Sequence, residues 1–318
     1  MADQKLARPL VSIVIINWNG LSDTSECLDS LGRIDYPNYR TVVVDNASQG
    51  KEADIIQQRY GRQVTLMRSD KNLGFTGGCN LGMDYALKTG AGYVLLLNND
   101  TTVDPHFLTA MVDALEADPS AGIAGARIMD YGAGSVQFVW GGFSLWSGQP
   151  SYVPRFLTEK VRSAPADRGQ YDLARYIRWT TGCCMLIKGS VLKAIGRLED
   201  SYFAYLEDVE YCLRACEKGY KVIYVPSAVI QHKGGRSLQG KGGLAAYLLT
   251  RNRFKLMKKH ASRVQYACFL AYFLLLYWWI ASLYYAAFYR GAGMVSALFH
   301  GMQDGLSGRD EHWPLKQA

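Results

Sequence analysis

The sequence has no paired cysteines. Its seven cysteines (Cys27, Cys79, Cys183, Cys184, Cys212, Cys216 and Cys268) are odd in number and show no Cys-x-x-Cys spacing. Neither a zinc site nor a disulfide framework is signalled, and buried thiols in a reducing compartment are expected. Residues 1–10 contain no apolar stretch of the kind that opens a secretory signal, so the bulk of the chain is expected in the cytosol. No Gly-x-Gly-x-x-Gly follows the first apolar run, and the glycine-rich segment at 72–80 contains no Gly-Lys-Ser/Thr. The two best-marked phosphate-binding loops are therefore missing. Acidic residues are absent from residues 251–263, which carry six Lys or Arg, and charge of either sign is absent from residues 264–289. No internal repeat is visible.

What remains is ordinary globular composition. The chain has 318 residues, 49% of them apolar and 20% charged, with a net charge of +7. That length suits one large domain or two modest ones. The first two-thirds alternates short apolar runs with helical patterns. Strands are expected at residues 10–17, Tyr39–Asp45, Val64–Arg68, 93–97 and 122–127, and helices at 24–31, 53–60, 77–88 and Phe107–Ala117. Strands that are apolar throughout are buried on both faces, which predicts an α/β, doubly wound, mostly parallel sheet with helices on both faces. From about 132 to 178 the pattern loosens, and 151–171 reads as a mobile loop. Order returns with a strand at 181–188, a short helix at 190–194, a longer helix at 207–218 and a strand at 221–225.

Such sheets bind ligands at the carboxyl ends of their strands. Three polar clusters lie there: Asn17-Trp18-Asn19-Gly20, Asp45-Asn46-Ala47-Ser48 and Asn98-Asn99-Asp100. Asp45 could accept hydrogen bonds from a ribose or a base, or it could simply form a turn. The run NLGFTGGCN at 72–80 allows close backbone approach and leads into a helix N-terminus suited to an anion, or is a plain glycine-rich turn. Asp100 could hold Mg²⁺ or Mn²⁺ against a diphosphate, or could cap the helix near Asp104-Pro105. Glu207 and Asp208 open a helix whose dipole favours an ionised carboxylate. They could take a proton from a hydroxyl, or have no chemistry at all. His232 precedes Lys233-Gly234-Gly235-Arg236-Ser237; it could ligate a metal beside a basic loop, or be structural.

Each motif alone is weak, and their order is specific. VSIVIINWNG, VVVDNAS, NLGFTGGCNLG, LLLNNDT, TGCCMLI, FAYLEDVEYCLRACEKGY and VIQHKGGRS in succession resemble family-2 glycosyltransferases of GT-A fold, and most closely their bacterial rhamnosyltransferase-like members. The resemblance runs from about Pro9 to Ser237. It implies a catalytic domain over 1–240, with a nucleotide-sugar half at 9–130 and an acceptor half at 131–240, followed by a helical membrane-associating region at 241–318. Asn17, Asn19 and Asp45 would surround the nucleoside. Asn72, Gly74 and Gly78 would line the nucleotide-sugar pocket. Asn98-Asn99-Asp100 stands where the family has a DxD metal motif, but the first acid is Asn98, which leaves Asp100 as main ligand with His232 as a second contact. Glu207-Asp208 matches the family's ED motif, whose Asp is the base of inverting transfer. Trp179, Thr181 and Gly182 fall where the acceptor pocket is expected. The donor it implies is a nucleotide sugar, with dTDP-rhamnose as first choice, and the acceptor is a glycan or lipid-linked hydroxyl.

Two other functions compete. A non-catalytic nucleotide-sugar-binding or scaffold protein would explain Asn98. A nucleotidyltransferase would need a glycine-rich basic signature near the first strand, which 17–21 lacks. Nucleic acid is not an expected partner, because the basic cluster abuts the apolar tail instead of forming a face of its own. The 26 uncharged residues at 264–289 exceed the roughly 20 needed to cross a bilayer. Their many Tyr and Trp also suit an interfacial helix or a contact in a homo-oligomer. With basic residues before the segment, the chain is expected at the cytoplasmic face of a membrane.

Overall fold

The computed structural model describes residues 8–153, 167–234, 242–289 and 292–310. Residues 154–166 of the expected mobile loop and 235–237 of the expected basic loop lie outside the described residues. The chain runs β1 (Val11–Asn17), α1 (Leu21–Leu31), β2 (Tyr39–Asp45), α2 (Glu52–Tyr60), β3 (Val64–Arg68), α3 (Gly74–Lys88), β4 (Tyr93–Asn98), β5 (Thr101–Val103), α4 (Phe107–Ala117) and β6 (Ala121–Asp130). It continues through β7 (Val136–Phe138), β8 (Trp140–Ser144), β9 (Gln149–Val153), β10 (Arg175–Ile177), β11 (Cys184–Lys188), α5 (Gly189–Ile195), α6 (Glu207–Glu217) and β12 (Lys221–His232). Helices α7 (Gly242–His260), α8 (Arg263–Tyr272), α9 (Trp278–Tyr289) and α10 (Ala292–Ser307) close it.

The main sheet has the order β10-β12-β6-β11-β4-β1-β2-β3. β3, β2, β1 and β4 are parallel. β11 is wedged antiparallel between β4 and β6, and β12 is parallel to β6. The apolar runs that predict two-faced burial are buried on both faces: Val11, Ile13, Val14 and Ile15 are at most 1% exposed. Helix α3 comes close to β1 because it carries glycine on that side. A Cβ on Gly82 would stand 2.2 Å from Val14 Cγ1, and one on Gly78 would stand 3.1 Å from Ile16 Cγ2.

Several elements differ from the sequence expectation, and the stretch read as loosened holds four short strands, β7–β10, of which β9 takes in 151–153 of the expected mobile loop. Helix α3 starts at Gly74, so Gly77 and Gly78 belong to the helix and not to a loop before it. β11 starts at Cys184, which leaves Thr181–Cys183 as a turn. β12 continues past Val225 to His232. From sequence, a strand is expected at 221–225 and a strand region at 228–231, with a break at Pro226. The two are one strand, and Pro226 lies where the pairing with β6 shifts register between Val225 and Val229, a bulge that a proline tolerates. β5 separates Asp100 from α4, so Asp100 does not cap that helix.

The C-terminal helices pack lengthwise on the body. Phe269, Phe273 and Ala281 are buried with Tyr277 partly so, a stripe at i+4 spacing turned toward α7 and α10. Leu275, Trp279 and Leu283 on the other side are 77%, 61% and 70% exposed. The basic cluster at 251–263 is not a free cationic face. Arg251 and Arg253 are buried, Lys255 pairs with Asp310, and Lys259 reaches Glu210 at 2.9 Å. These residues join α7 to the sheet domain.

Candidate active site

Strand register brings the expected clusters together. Asn17 pairs with Asp45 across β1 and β2, and Ile16 pairs with Asn98 across β1 and β4. β11 runs the other way, so its beginning meets the end of β4: the Asn98 N–H donates to Cys183 O at 2.9 Å. The end of β12 meets β5, with His232 opposite Thr101. A cavity of about 430 Å³ opens at this edge. Asn72, Gly74, Asn98, Asn99, Asp100, Trp179, Thr181, Gly182, Glu207, Asp208 and His232 all line it.

Asn17, Asn19, Asp45 and Gly78 do not line it. Asn17 is fully buried; its Nδ2 donates to Asp45 Oδ1 (2.9 Å), Ser48 Oγ (3.0 Å) and Glu52 Oε2 (3.0 Å), and its Oδ1 accepts from Thr24 Oγ1 (2.7 Å). Asp45 also accepts from the Ser48 N–H at 3.3 Å, which makes it a turn former in this structure. Asn19 adopts φ 51 and accepts from the Gln49 N–H at 2.7 Å. The three residues fasten the strand ends beneath the cavity, and Gly78 packs α3 on β1. In the cavity wall, Asn46 and Asn72 shape the start of α3. Asn46 Nδ2 donates to Asn72 Oδ1 (3.0 Å) and Gly74 O (2.9 Å), and Asn72 Oδ1 accepts from the Gly74 N–H (2.8 Å).

Asp100 and His232 form the next wall. Asp100 Oδ1 lies 3.1 Å from His232 Nε2, and Asn98 Nδ2 lies 3.4 Å from the same nitrogen. His232 Nδ1 is 2.6 Å from Gln137 Oε1. Gln137 Nε2 donates to Asp130 Oδ1 at 3.0 Å and to His232 O at 3.3 Å, which fixes the amide with its oxygen toward the ring. Nδ1 is therefore the donor, and a neutral ring presents a bare Nε2 beside Asp100. Asn99 Nδ2 is taken by Thr24 Oγ1 at 2.9 Å. Asp100 and His232 are thus the pair in the cavity able to hold a divalent cation. Among the described residues no cluster of three His, Cys, Asp or Glu is placed to do so.

The Glu207-Asp208 pair is held differently. Asp208 Oδ2 accepts from the Gly182 N–H at 3.1 Å, and Oδ1 accepts from the Val209 N–H at 2.8 Å. Burial raises both carboxyl groups. Glu207 is raised well above its ordinary value by burial and by the adjacent Asp208, and its buried Oε2 has no hydrogen-bond partner. For Asp208 the upward push of burial is opposed by the N–H donors from Gly182 and Val209. Both are raised, Glu207 the further, so within the pair Glu207 keeps its proton to higher pH than Asp208 does. The backbone leading in is strained. Phe203, Tyr205 and Leu206 adopt φ of 63, 69 and 66. The Ala204 N–H closes a tight turn onto Tyr202 O at 2.7 Å. Each such residue costs about 1–3 kcal/mol and persists only where its surroundings fix it.

Aromatic side chains make the remaining wall. The Trp179 ring centroid lies 5.3 Å from that of Phe138 and 5.5 Å from that of Tyr152, and its Nε1–H donates to Gly142 O at 3.0 Å. Asn46, Gln137, Tyr152 and the 203–206 segment line the cavity without having been singled out from the sequence. Asn46 adjoins Asp45 and was within reach of the strand-end rule; Gln137 and Tyr152 fall where the sequence pattern loosens and carried no signal.

Comparison with known proteins finds relatives along most of the chain. A low-salt glycan biosynthesis hexosyltransferase, Agl10 of Haloferax volcanii, is 25% identical over 264 residues, covering 80% of this chain and 79% of its own. An N-acetylglucosaminyl-diphospho-decaprenol L-rhamnosyltransferase of Mycobacterium tuberculosis is 26% identical over 250 residues, covering 72% and 77%. In structure the chain is similar to the mannosyltransferase PcManGT of Pyrobaculum calidifontis, solved with GDP-Man and Mn²⁺. The TM-score is 0.59 at 17% identity, over 96% of this chain and 89% of that one. The fold is the GT-A fold, a mostly parallel sheet with one antiparallel strand inserted. The model of glycosyltransferase-like family 2 matches residues 8–253, and the chain belongs to that family.

Proposed function

We propose that the chain is an inverting glycosyltransferase that moves a sugar from a nucleotide-sugar donor to a hydroxyl of a glycan or lipid-linked acceptor. One observation carries this reading: Asp208 accepts from two backbone N–H groups, which favour its carboxylate form, in the same cavity as Asp100 and His232. Asp208 takes the acceptor proton, the freed oxygen attacks the anomeric carbon from the far side, and the bond to the nucleoside diphosphate breaks. Thr181-Gly182 fixes the base, and Trp179 with Tyr152 shapes the acceptor side. Asp100 and His232 would hold Mg²⁺ or Mn²⁺. Their facing carboxylate oxygen and ring nitrogen, 3.1 Å apart, are donor types that such a cation takes. Two protein ligands suffice where phosphate oxygens complete the set, and Asn98 adds no charge. A bound cation there supplies neutralisation of the departing diphosphate.

The donor proposed is dTDP-rhamnose, supported by the mycobacterial relative that carries rhamnosyltransferase in its name. A panel of nucleotide sugars with Mg²⁺ or Mn²⁺, read by nucleotide release in the presence of membrane extract, tests both levels. Release is expected with at least one donor and fastest with dTDP-rhamnose. Release with another donor alone overturns the sugar, and none with any donor overturns the function.

The same relative names a decaprenol-linked substrate. Among the described residues one continuous helical stretch, Arg263–Ala287, running from α8 through a π-helical turn at Phe273–Tyr277 into α9, has suitable length and apolarity for a membrane. Its inner stripe is packed along its length on α7 and α10. We therefore place it flat in the interface, outer face in lipid, and not across the bilayer. In a Cys268→Ser background, Arg263→Cys and Ala287→Cys should both react with an impermeant maleimide from the same side of sealed vesicles. Reaction from opposite sides would establish a span.

A further inference from the structure

The strained segment 203–206 leads directly into Glu207-Asp208, and α7 grips it. We propose that Arg251 and Asn252 are positioning residues for transfer: from α7 they hold the 203–206 segment, with Phe203, Tyr205 and Leu206 at positive φ, and so set Asp208 and the cavity wall beside it. The proposal rests on the assignment of Asp208 as base.

The grip is polar and directional. Asn252 Nδ2 donates to Tyr202 O (3.0 Å), Ala204 O (2.8 Å) and Tyr205 O (2.7 Å), three carbonyls that a left-handed segment turns toward one point. Arg251 orients that amide. Its Nε and Nη2 donate to Asn252 Oδ1 at 3.0 and 2.9 Å, leaving only the amide N–H groups to face the segment. Arg251 Nη2 also donates to Ser201 O and Tyr202 O, both at 2.9 Å. Arg251 is completely buried; besides stacking on the Tyr247 ring, its guanidinium reaches the carbonyls that enter this segment and the neighbouring amide. The opposite side is held by α3. The Thr76 N–H donates to Phe203 O at 3.1 Å, and a Cβ on Gly74 would lie 2.4 Å from the same oxygen. The segment is thus clamped between the donor-side helix α3 and α7, and all four of its residues line the cavity. Apolar packing anchors α7 elsewhere, through Phe254 and Met257. The polar pair is not needed merely to attach the helix.

The test compares Asn252→Ala with Met257→Ala, which removes packing from α7 without touching the segment. In full-length protein, Asn252→Ala should speed amide hydrogen exchange of a 202–209 peptide by about tenfold or more, because the closed state of that segment is lost locally. Transfer kcat should fall about 100-fold, the usual cost of a misplaced group, with donor KM changed less than about threefold. Asn252→Gln, which keeps the amide but shifts it by one carbon, should show smaller changes of the same kind. Met257→Ala should lower the melting temperature while leaving 202–209 exchange and kcat within about threefold of wild type. Wild-type exchange at 202–209 in Asn252→Ala overturns the proposal, as does a loss of kcat that simply tracks melting temperature across both variants. Exchange needs no donor. If no sugar is transferred by the wild-type protein, the base assignment fails and the clamp is judged by exchange alone.

Discussion

Asp208→Asn is expected to lower transfer by about 10³-fold, within the range that a positioned general base contributes. The amide keeps the size of the carboxylate, and its oxygen can still accept from one of the Gly182 and Val209 N–H groups. Folding should therefore survive, with a melting temperature within a few degrees of wild type. Nucleotide binding, measured by titration with a nucleoside diphosphate, should be unchanged within about threefold, because the base meets the acceptor and not the nucleotide. Glu207→Gln replaces a carboxyl group that burial already keeps protonated with a neutral amide of the same shape, so stability should change little. Turnover near wild type in Asp208→Asn would show that another group takes the proton.

The second large effect is expected at the cation pair. Neutralising a departing diphosphate is worth several kcal/mol, so Asp100→Ala should lower metal-stimulated transfer by about 10³-fold. His232→Ala should lose less, since it removes a neutral ligand and leaves the carboxylate. Mn²⁺ binding followed by electron paramagnetic resonance reads the same site without turnover. Asp100→Ala should abolish bound-manganese signal at concentrations that saturate the wild type. An unchanged Mn²⁺ titration in Asp100→Ala would place the cation elsewhere.

The parallel half of the fold was legible because its strands carry short apolar runs, which are buried in β1, β2 and β4 and only partly buried in the edge strand β3. Tyr39–Asp45 and Val64–Arg68 are strands at the bounds the pattern gives. The ends of β12 and α3 were not legible. Pro226 in β12 and Gly74, Gly77 and Gly78 in α3 look like stops locally, and only pairing with β6 and close packing on β1 make them tolerable. The site followed the same division. Strand-end residues such as Asp100 could be placed from topology alone. The tautomer of His232 could not, because it depends on Gln137, which lies on an irregular stretch far along the chain. Nor could the inward turn of the 251–263 cluster: a run of cations on paper is a surface, and its partners, the carbonyls at 201–205 together with Glu210 and Asp310, come from other parts of the chain.

The sharpest test of the account is the stereochemistry of the product. A single displacement with Asp208 as base must invert the anomeric centre. Proton NMR of the product formed from whichever nucleotide sugar supports release, compared with that donor, should show the opposite anomeric configuration. Retained configuration would contradict the assignment of Asp208 as base and require a covalent or internal-return route through other residues of the cavity.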